Sequence, residues 1–171
     1  MTLRHSFLTL TALATIGFTS IANAQTPELI GNYGDWAAYK FTENGNKVCY
    51  MVSQPTKAEG NYSKRGDIFA LVTHRPSEKT KNVFSYITGY TFKKGSDVTV
   101  NVNNNKFTLF TQNDMAWTPD QASDNKITDS IRKGSKMVVK GTSSRGTKTT
   151  DTFSLKGSGG AHDAINKACG V

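Results

Sequence analysis

Between Lys136 and Lys156 the chain reads KMVVKGTSSRGTKTTDTFSLK, two strand-like runs hinged on a short basic turn. No other stretch constrains the fold as strongly. Residues 147–155 alternate with period two, which points Phe153 and Leu155 toward a core and Lys148, Thr150 and Thr152 toward solvent. Val138 and Val139 supply the apolar content of the first run. Lys136, Lys140, Arg145 and Lys148 place four cations around the bend, and Asp151 is the only acid in the stretch. The segment is a hairpin with one wet face.

Other hairpin signals precede it. Gly34–Phe41 is aromatic and strand-like, Lys47–Gln54 returns, and Asn44-Gly45 between them has the residue types that a two-residue turn with positive φ requires. Residues 56–66, polar and glycine-bearing, read as the longest loop, with Lys57, Lys64 and Arg65 available to solvent. Asp67–Arg75 reads as a buried central strand that surfaces at His74-Arg75-Pro76. In Asn82–Tyr90, Val83, Ser85 and Ile87 share one face and Phe84, Tyr86 and Thr88 the other. Val98, Val100 and Val102 alternate with polar residues, and Asn103-Asn104-Asn105 turns the chain into Lys106–Thr111.

A helix is expected over residues 119–132, capped by Thr118, with Pro119 and Asp120 in its first turn and Arg132, Lys133 and Gly134 closing it. Its apolar stripe, Ala122, Ile127 and Ile131, is narrow, as on a surface helix. Gly157–Gly160 reads as a hinge before a second short helix, Ala161–Cys169. About eight strands and two short helices make a mainly β fold, an antiparallel β-sandwich.

The chain begins with a leader. Arg4 and His5 precede an apolar run from Phe7 to Phe18, and Ala22-Asn23-Ala24 has the small-x-small form that signal peptidase cuts. Residues 1–24 are read as a signal peptide and 25–171 as a single domain; the alternative is an uncleaved anchor. The apolar run is too short for a stable membrane span. Removing Arg4 with the leader lowers the formal charge of +8 by one, to +7, and such a protein is drawn to anionic surfaces. The partners this implies for an exported protein are anionic glycans, lipopolysaccharide, lipid head groups or an acidic envelope or host protein, with no nucleic acid and with peripheral membrane contact allowed. The same lysines also serve solubility and protect sheet edges.

Cys49 and Cys169 are the two cysteines, and in an oxidising compartment they are expected to pair, pinning the C-terminal tail to the second strand. Loop closure over that distance is worth roughly 5 kcal/mol. For ligand binding, the basic hairpin offers Lys140, Arg145 and Lys148, flanked by the Ser143, Ser144 and Thr147 hydroxyls; arginine suits carboxylate, sulfate or phosphate. His74-Arg75 reads better as a strand end than as an anion site, and Trp36 beside Asp35 as a buried anchor. Two histidines outside the leader, His74 and His162, carry no catalytic motif, and GxSxG, HExxH and phosphate-binding glycine loops are missing from the sequence. Asp97, Asp114, Asp120 and Asp124 lack calcium-loop spacing. The reading is no enzyme, no cofactor and no metal.

Gly34-Asp35-Trp36, Val48-Cys49-Tyr50, Thr73-His74-Arg75-Pro76, Gly141-Thr142-Ser143-Ser144-Arg145-Gly146-Thr147 and Lys167-Ala168-Cys169-Gly170-Val171, in this order and spacing, resemble the invasion-associated locus B family. The resemblance covers nearly all of the chain after the leader. It implies an immunoglobulin-like β-sandwich exported by Gram-negative bacteria to the periplasm, the outer membrane or the medium, and it links the protein to host-cell invasion; it brings no catalytic residues. Two functions follow as expectations: an invasion or adhesion factor that binds anionic ligands through its basic face, or a periplasmic housekeeping or inhibitor module acting through protein contact.

Overall fold

The computed structural model describes Thr26 to Val171, and the signal peptide expected over residues 1–24 lies outside the described residues. The chain first lays down β1 (Glu28–Tyr33), β2 (Trp36–Glu43), β3 (Asn46–Ser53), β4 (Lys57–Gly60), β5 (Phe69–Arg75) and β6 (Thr80–Ile87). Next come β7 (Val98–Val102), β8 (Asn105–Gln112), β9 (Met115–Trp117) and the helix α1 (Gln121–Lys133). The hairpin β10 (Lys136–Thr142) and β11 (Lys148–Ser154) and the helix α2 (Ser158–Cys169) finish it. All pairings are antiparallel and run in the order β1-β2-β3-β5-β6-β9-β8-β7-β10-β11-β4.

Strand β8 belongs to both layers, pairing with β9 on one side and β7 on the other. There the sheet folds over, so β2, β3, β5 and β6 face β7, β10 and β11. Phe153 of β11 meets the Tyr86 ring edge-on at 6.3 Å, and the Trp36 indole N–H donates to the Ser154 carbonyl at 3.0 Å. The far edges also approach each other, the amide of Asp35 reaching Lys156 O at 3.0 Å. Trp36, Phe84, Tyr86, Phe153 and Leu109 are buried between the layers, each worth about 2–3 kcal/mol.

The mainly antiparallel β-sandwich with two helices is therefore what the sequence forms, with eleven strands rather than about eight. The additions are β4, with four exposed residues and no apolar alternation, β9, with three residues, and β1, six residues that precede the Gly34–Phe41 signal. The Asn44-Gly45 turn has positive φ at both residues, and β7 alternates buried and half-buried along its length.

Several boundaries move. Asp120, not Thr118, caps α1: its carboxylate accepts from the Ser123 amide at 2.7 Å, which holds its pKa below the usual carboxylate range. Thr118 instead donates to the carboxylate of buried Asp124, which also accepts from the Phe84 amide at 2.8 Å and anchors α1 on β6. Burial nevertheless raises the Asp124 pKa. Ala122 is exposed, so the inward stripe of α1 is Asp124, Ile127, Thr128 and Ile131. Helix α2 begins at Ser158, so the expected glycine hinge is largely its first turn.

The disulfide between Cys49 and Cys169 forms as expected and ties the end of α2 to β3. Beside it, His74 is fully buried rather than surfacing. Its Nδ1 accepts from the Asn82 amide at 2.9 Å and its Nε2–H donates to Asn166 Oδ1 at 2.8 Å. The Asn166 side-chain amide then donates to His162 Nδ1 at 3.1 Å, and His162 Nε2–H donates to Asn82 Oδ1 at 2.8 Å. Every ring nitrogen is matched with both histidines neutral, and burial lowers both pKa values, that of His162 to about 4. The neighbouring Arg75 pairs with Glu43 and Glu78.

Candidate functional site

Loop 61–66, the segment after β6 and the β10–β11 turn meet at one end of the sandwich. The turn is closed by the Ser143 amide on Thr147 O at 2.9 Å and the Gly146 amide on Ser143 O at 2.8 Å. It is held against the neighbouring segment by Ser144 N on Thr91 O at 2.8 Å and Lys93 N on Thr142 O at 2.9 Å. Loop 61–66 is clamped where the Gly66 amide donates to Gly89 O at 2.9 Å. At Gly89, with φ of +72°, a Cβ would lie 2.3 Å from the Gly66 carbonyl oxygen, so no other residue allows this approach.

Arg65 fixes the loop from inside. Its guanidinium makes a two-pronged ion pair with Asp151, 2.7 Å on each branch, and donates from Nε to Thr88 O at 2.7 Å and from Nη2 to Tyr86 Oη at 3.0 Å. Tyr86 in turn donates to Asp151. The guanidinium lies 4.9 Å from the Tyr90 ring centroid and 5.5 Å from that of Tyr62. Side-chain exposure is 3 % for Arg65 and 0 % for Asp151, which corrects the expectation of a solvent-facing Arg65. Burial opposes its charge most strongly of any single influence, but the Asp151 hydrogen bonds, the Asp151 charge and the Tyr86 and Tyr62 oxygens together outweigh that and raise the Arg65 pKa. The Tyr86 phenol is pushed up by burial and by the adjacent Asp151.

Over this base opens a cleft of about 630 Å³. Lys64 and Arg145 stand in its wall, both exposed, with the Tyr62 and Tyr90 rings and the Ser143, Ser144 and Thr147 hydroxyls. No acidic residue is among those that line it. Such a wall can offer charge-assisted hydrogen bonds to carboxylate, sulfate or phosphate. Because Asp151 neutralises Arg65, the cations open to an incoming anion here are Lys64 and Arg145.

Of the three hairpin cations singled out from the sequence, Arg145 reaches the cleft. Lys140 and Lys148 are exposed but sit in β10 and β11, opposite Thr150 and Thr142, on the outward face and outside the cleft wall. Lys64 belongs to the same wall although sequence reading gave it no site role. Its signal was the LysArg pair in a polar loop, which spacing alone could not bring to the turn at Arg145. Among the described residues no group of three or more His, Cys, Asp or Glu side chains could hold a metal ion, and no helix is long and apolar enough to cross a membrane.

The fold and the cleft define a disulfide-closed, mainly antiparallel β-sandwich with a cationic, hydroxyl-lined recess at one end. The family model described as invasion associated locus B (IalB) protein matches residues 36–166, and the chain belongs to that family. The crystal structure of invasion associated protein B from Bartonella henselae is similar in fold, with a TM-score of 0.58 at 16 % identity over 84 % of this chain and 97 % of that one. No curated protein matches the sequence.

Proposed function

We propose that the protein is an exported, non-enzymatic binding factor that takes anionic groups of envelope or host-surface glycans into the cleft between loop 61–66 and the β10–β11 turn. The observation that carries this reading is a recess walled by Lys64 and Arg145, lined with hydroxyls and without an acid. The fixed base under it supports the same reading, because Arg65 and Gly89 hold the loop in place before a ligand arrives, which lowers the ordering cost of binding. Export fits the leader and the disulfide, and a role in invasion or adhesion follows the family's name.

The test is binding to heparin and to lipopolysaccharide over a salt series. The expected result is salt-sensitive binding that Lys64→Glu with Arg145→Glu weakens at least about tenfold, while Lys140→Glu with Lys148→Glu weakens it less. A folded Lys64→Glu, Arg145→Glu protein that binds as well as the parent rejects the cleft. Salt-insensitive capture of an envelope protein, with no polyanion binding, would favour the housekeeping or inhibitor alternative.

A further inference from the structure

The outward face of β7, β10 and β11 continues directly from the cleft. The bridge between Phe92 and Ser143 sets Thr91 beside Ser144 in the cleft wall and Lys93 beside Thr142, whose carbonyl accepts from the Lys93 amide at 2.9 Å. On its other side Thr142 has Lys148 as its partner, so Lys93, Thr142 and Lys148 make one outward row next to the turn that carries Arg145. Thr99, Lys140 and Thr150 form the next row, and Lys106, Asn101, Val138 and Thr152 the one after it. Their strand neighbours Val98, Val100, Val139, Thr149 and Phe153 are buried, which fixes the side on which each row stands.

Charge on this side is of one sign. Lys93, Lys106, Lys140 and Lys148 are exposed, as are Lys64 and Arg145 in the cleft, and none of these enters an ion pair among the described residues. Glu59 of β4, opposite Thr150, is held by Lys57 at 2.8 Å, and Asp97 follows the Lys93-Lys94 turn at the border. The excess charge of the chain, formally +8, is therefore concentrated here, where it raises the local concentration of anions. Diagonal neighbours across paired strands, as Lys140 and Lys148 are, stand about 7–8 Å apart. Two strand spacings, about 10 Å, separate Lys93 from Lys148. One carboxylate, sulfate or phosphate held by Lys64 and Arg145 cannot also touch lysines so placed, whereas a chain that carries an anion on every residue or two can.

We propose that the ligand of the cleft is a linear acidic polysaccharide, one anionic group of which sits between Lys64 and Arg145 while the chain runs out over Lys148, Lys93 and Lys140 toward Lys106. This rests on the cleft reading above and extends it to the class of ligand. Thr99, Thr142 and Thr150 stand between the lysines, where their hydroxyls can hydrogen-bond sugar hydroxyls along the path. The strand ladder holds the rows in register before the ligand arrives, which lowers the ordering cost of binding. A nucleic acid strand fits less well, because the three rows carry no aromatic ring on which a base could stack.

Titration of the purified protein with size-defined heparin oligosaccharides tests this, followed by NMR for the disaccharide and by calorimetry for the dodecasaccharide. The expected result is a dodecasaccharide bound at least about tenfold more tightly than the disaccharide, with a steeper salt dependence, since each added lysine releases counterions. Lys93→Gln with Lys140→Gln and Lys148→Gln should remove at least about tenfold of the dodecasaccharide affinity and lower its salt slope by about two to three, leaving the disaccharide bound as before. Circular dichroism confirms that each variant is folded. A dodecasaccharide bound no more tightly than the disaccharide overturns the proposal, as does a folded triple variant that keeps the parent's affinity for it. An oligonucleotide of equal charge that binds as tightly as the dodecasaccharide also overturns it. The cleft is read separately: Lys64→Glu with Arg145→Glu should weaken both oligosaccharides, and unchanged disaccharide binding in that variant rejects the cleft and the path that starts from it.

Discussion

Asp151 occupies a position where a strand would ordinarily bury a hydrophobe. It shares the inward side of β11 with Thr149 and Phe153, in line with Leu155 just past the strand, so its burial was legible in the period-two alternation, whereas its partner was not. Arg65 comes from a polar loop 86 residues earlier, and only the folded sheet lays that loop over the Asp151 carboxylate. Removing one member of such a pair leaves a buried charge without its counterion. Asp151→Asn should therefore cost about 3–5 kcal/mol in urea unfolding, whereas Arg65→Met with Asp151→Leu should recover much of the loss. Tyr86→Phe removes one donor to the same carboxylate and should cost about 1–2 kcal/mol. If Asp151→Asn unfolds at the parent's midpoint, the pair does not anchor the loop.

Helix α2 depends on tertiary ties, because its first turn is rich in glycine and its cap makes no side-chain hydrogen bond. The disulfide is one tie. Replacing both Cys49 and Cys169 with alanine should lower stability by about 2–5 kcal/mol and raise hydrogen exchange in α2 before the sheet, which mass spectrometry can resolve. The histidine network is the other tie, and it gives a pH signature. Its folded-state pKa values are lowered, so below 6.5 the unfolded chain binds more protons than the native one. Stability should be unaffected by these residues above pH 6.5 and fall as pH drops below it; the His162 share levels off below about 4, a loss on the order of 3 kcal/mol. His162→Gln should flatten that stretch of the profile, and an unchanged slope would exclude His162 as its source. The two histidines had no motif in the sequence because 88 residues separate them and only the docking of α2 on β5 brings their rings to 5.5 Å.

On the scale of the whole molecule, charge and apolar surface are segregated. Cations gather around the β10–β11 end and the outward face beside it, while the opposite layer turns an uncharged aromatic face outward. Polyanion binding should therefore fall steeply as salt shortens the screening length below about 10 Å. Binding that salt leaves unchanged would exclude the cationic end as its source. The sequence by itself determined the disulfide pair, the hairpins at Asn44-Gly45 and Asn103–Asn105, the helices and the sidedness of β7 and β11, because turn chemistry and period-two alternation are local. It also placed Arg145 at a tip where an anion could reach it. Only the tertiary structure decided that Arg65 turns inward, that Lys64 rather than Lys140 or Lys148 joins Arg145, and that His74 and His162 share hydrogen-bond partners. Those outcomes depend on how the sheet folds over at β8 and which distant loops that fold brings into contact, and no local pattern in the chain encodes such distances.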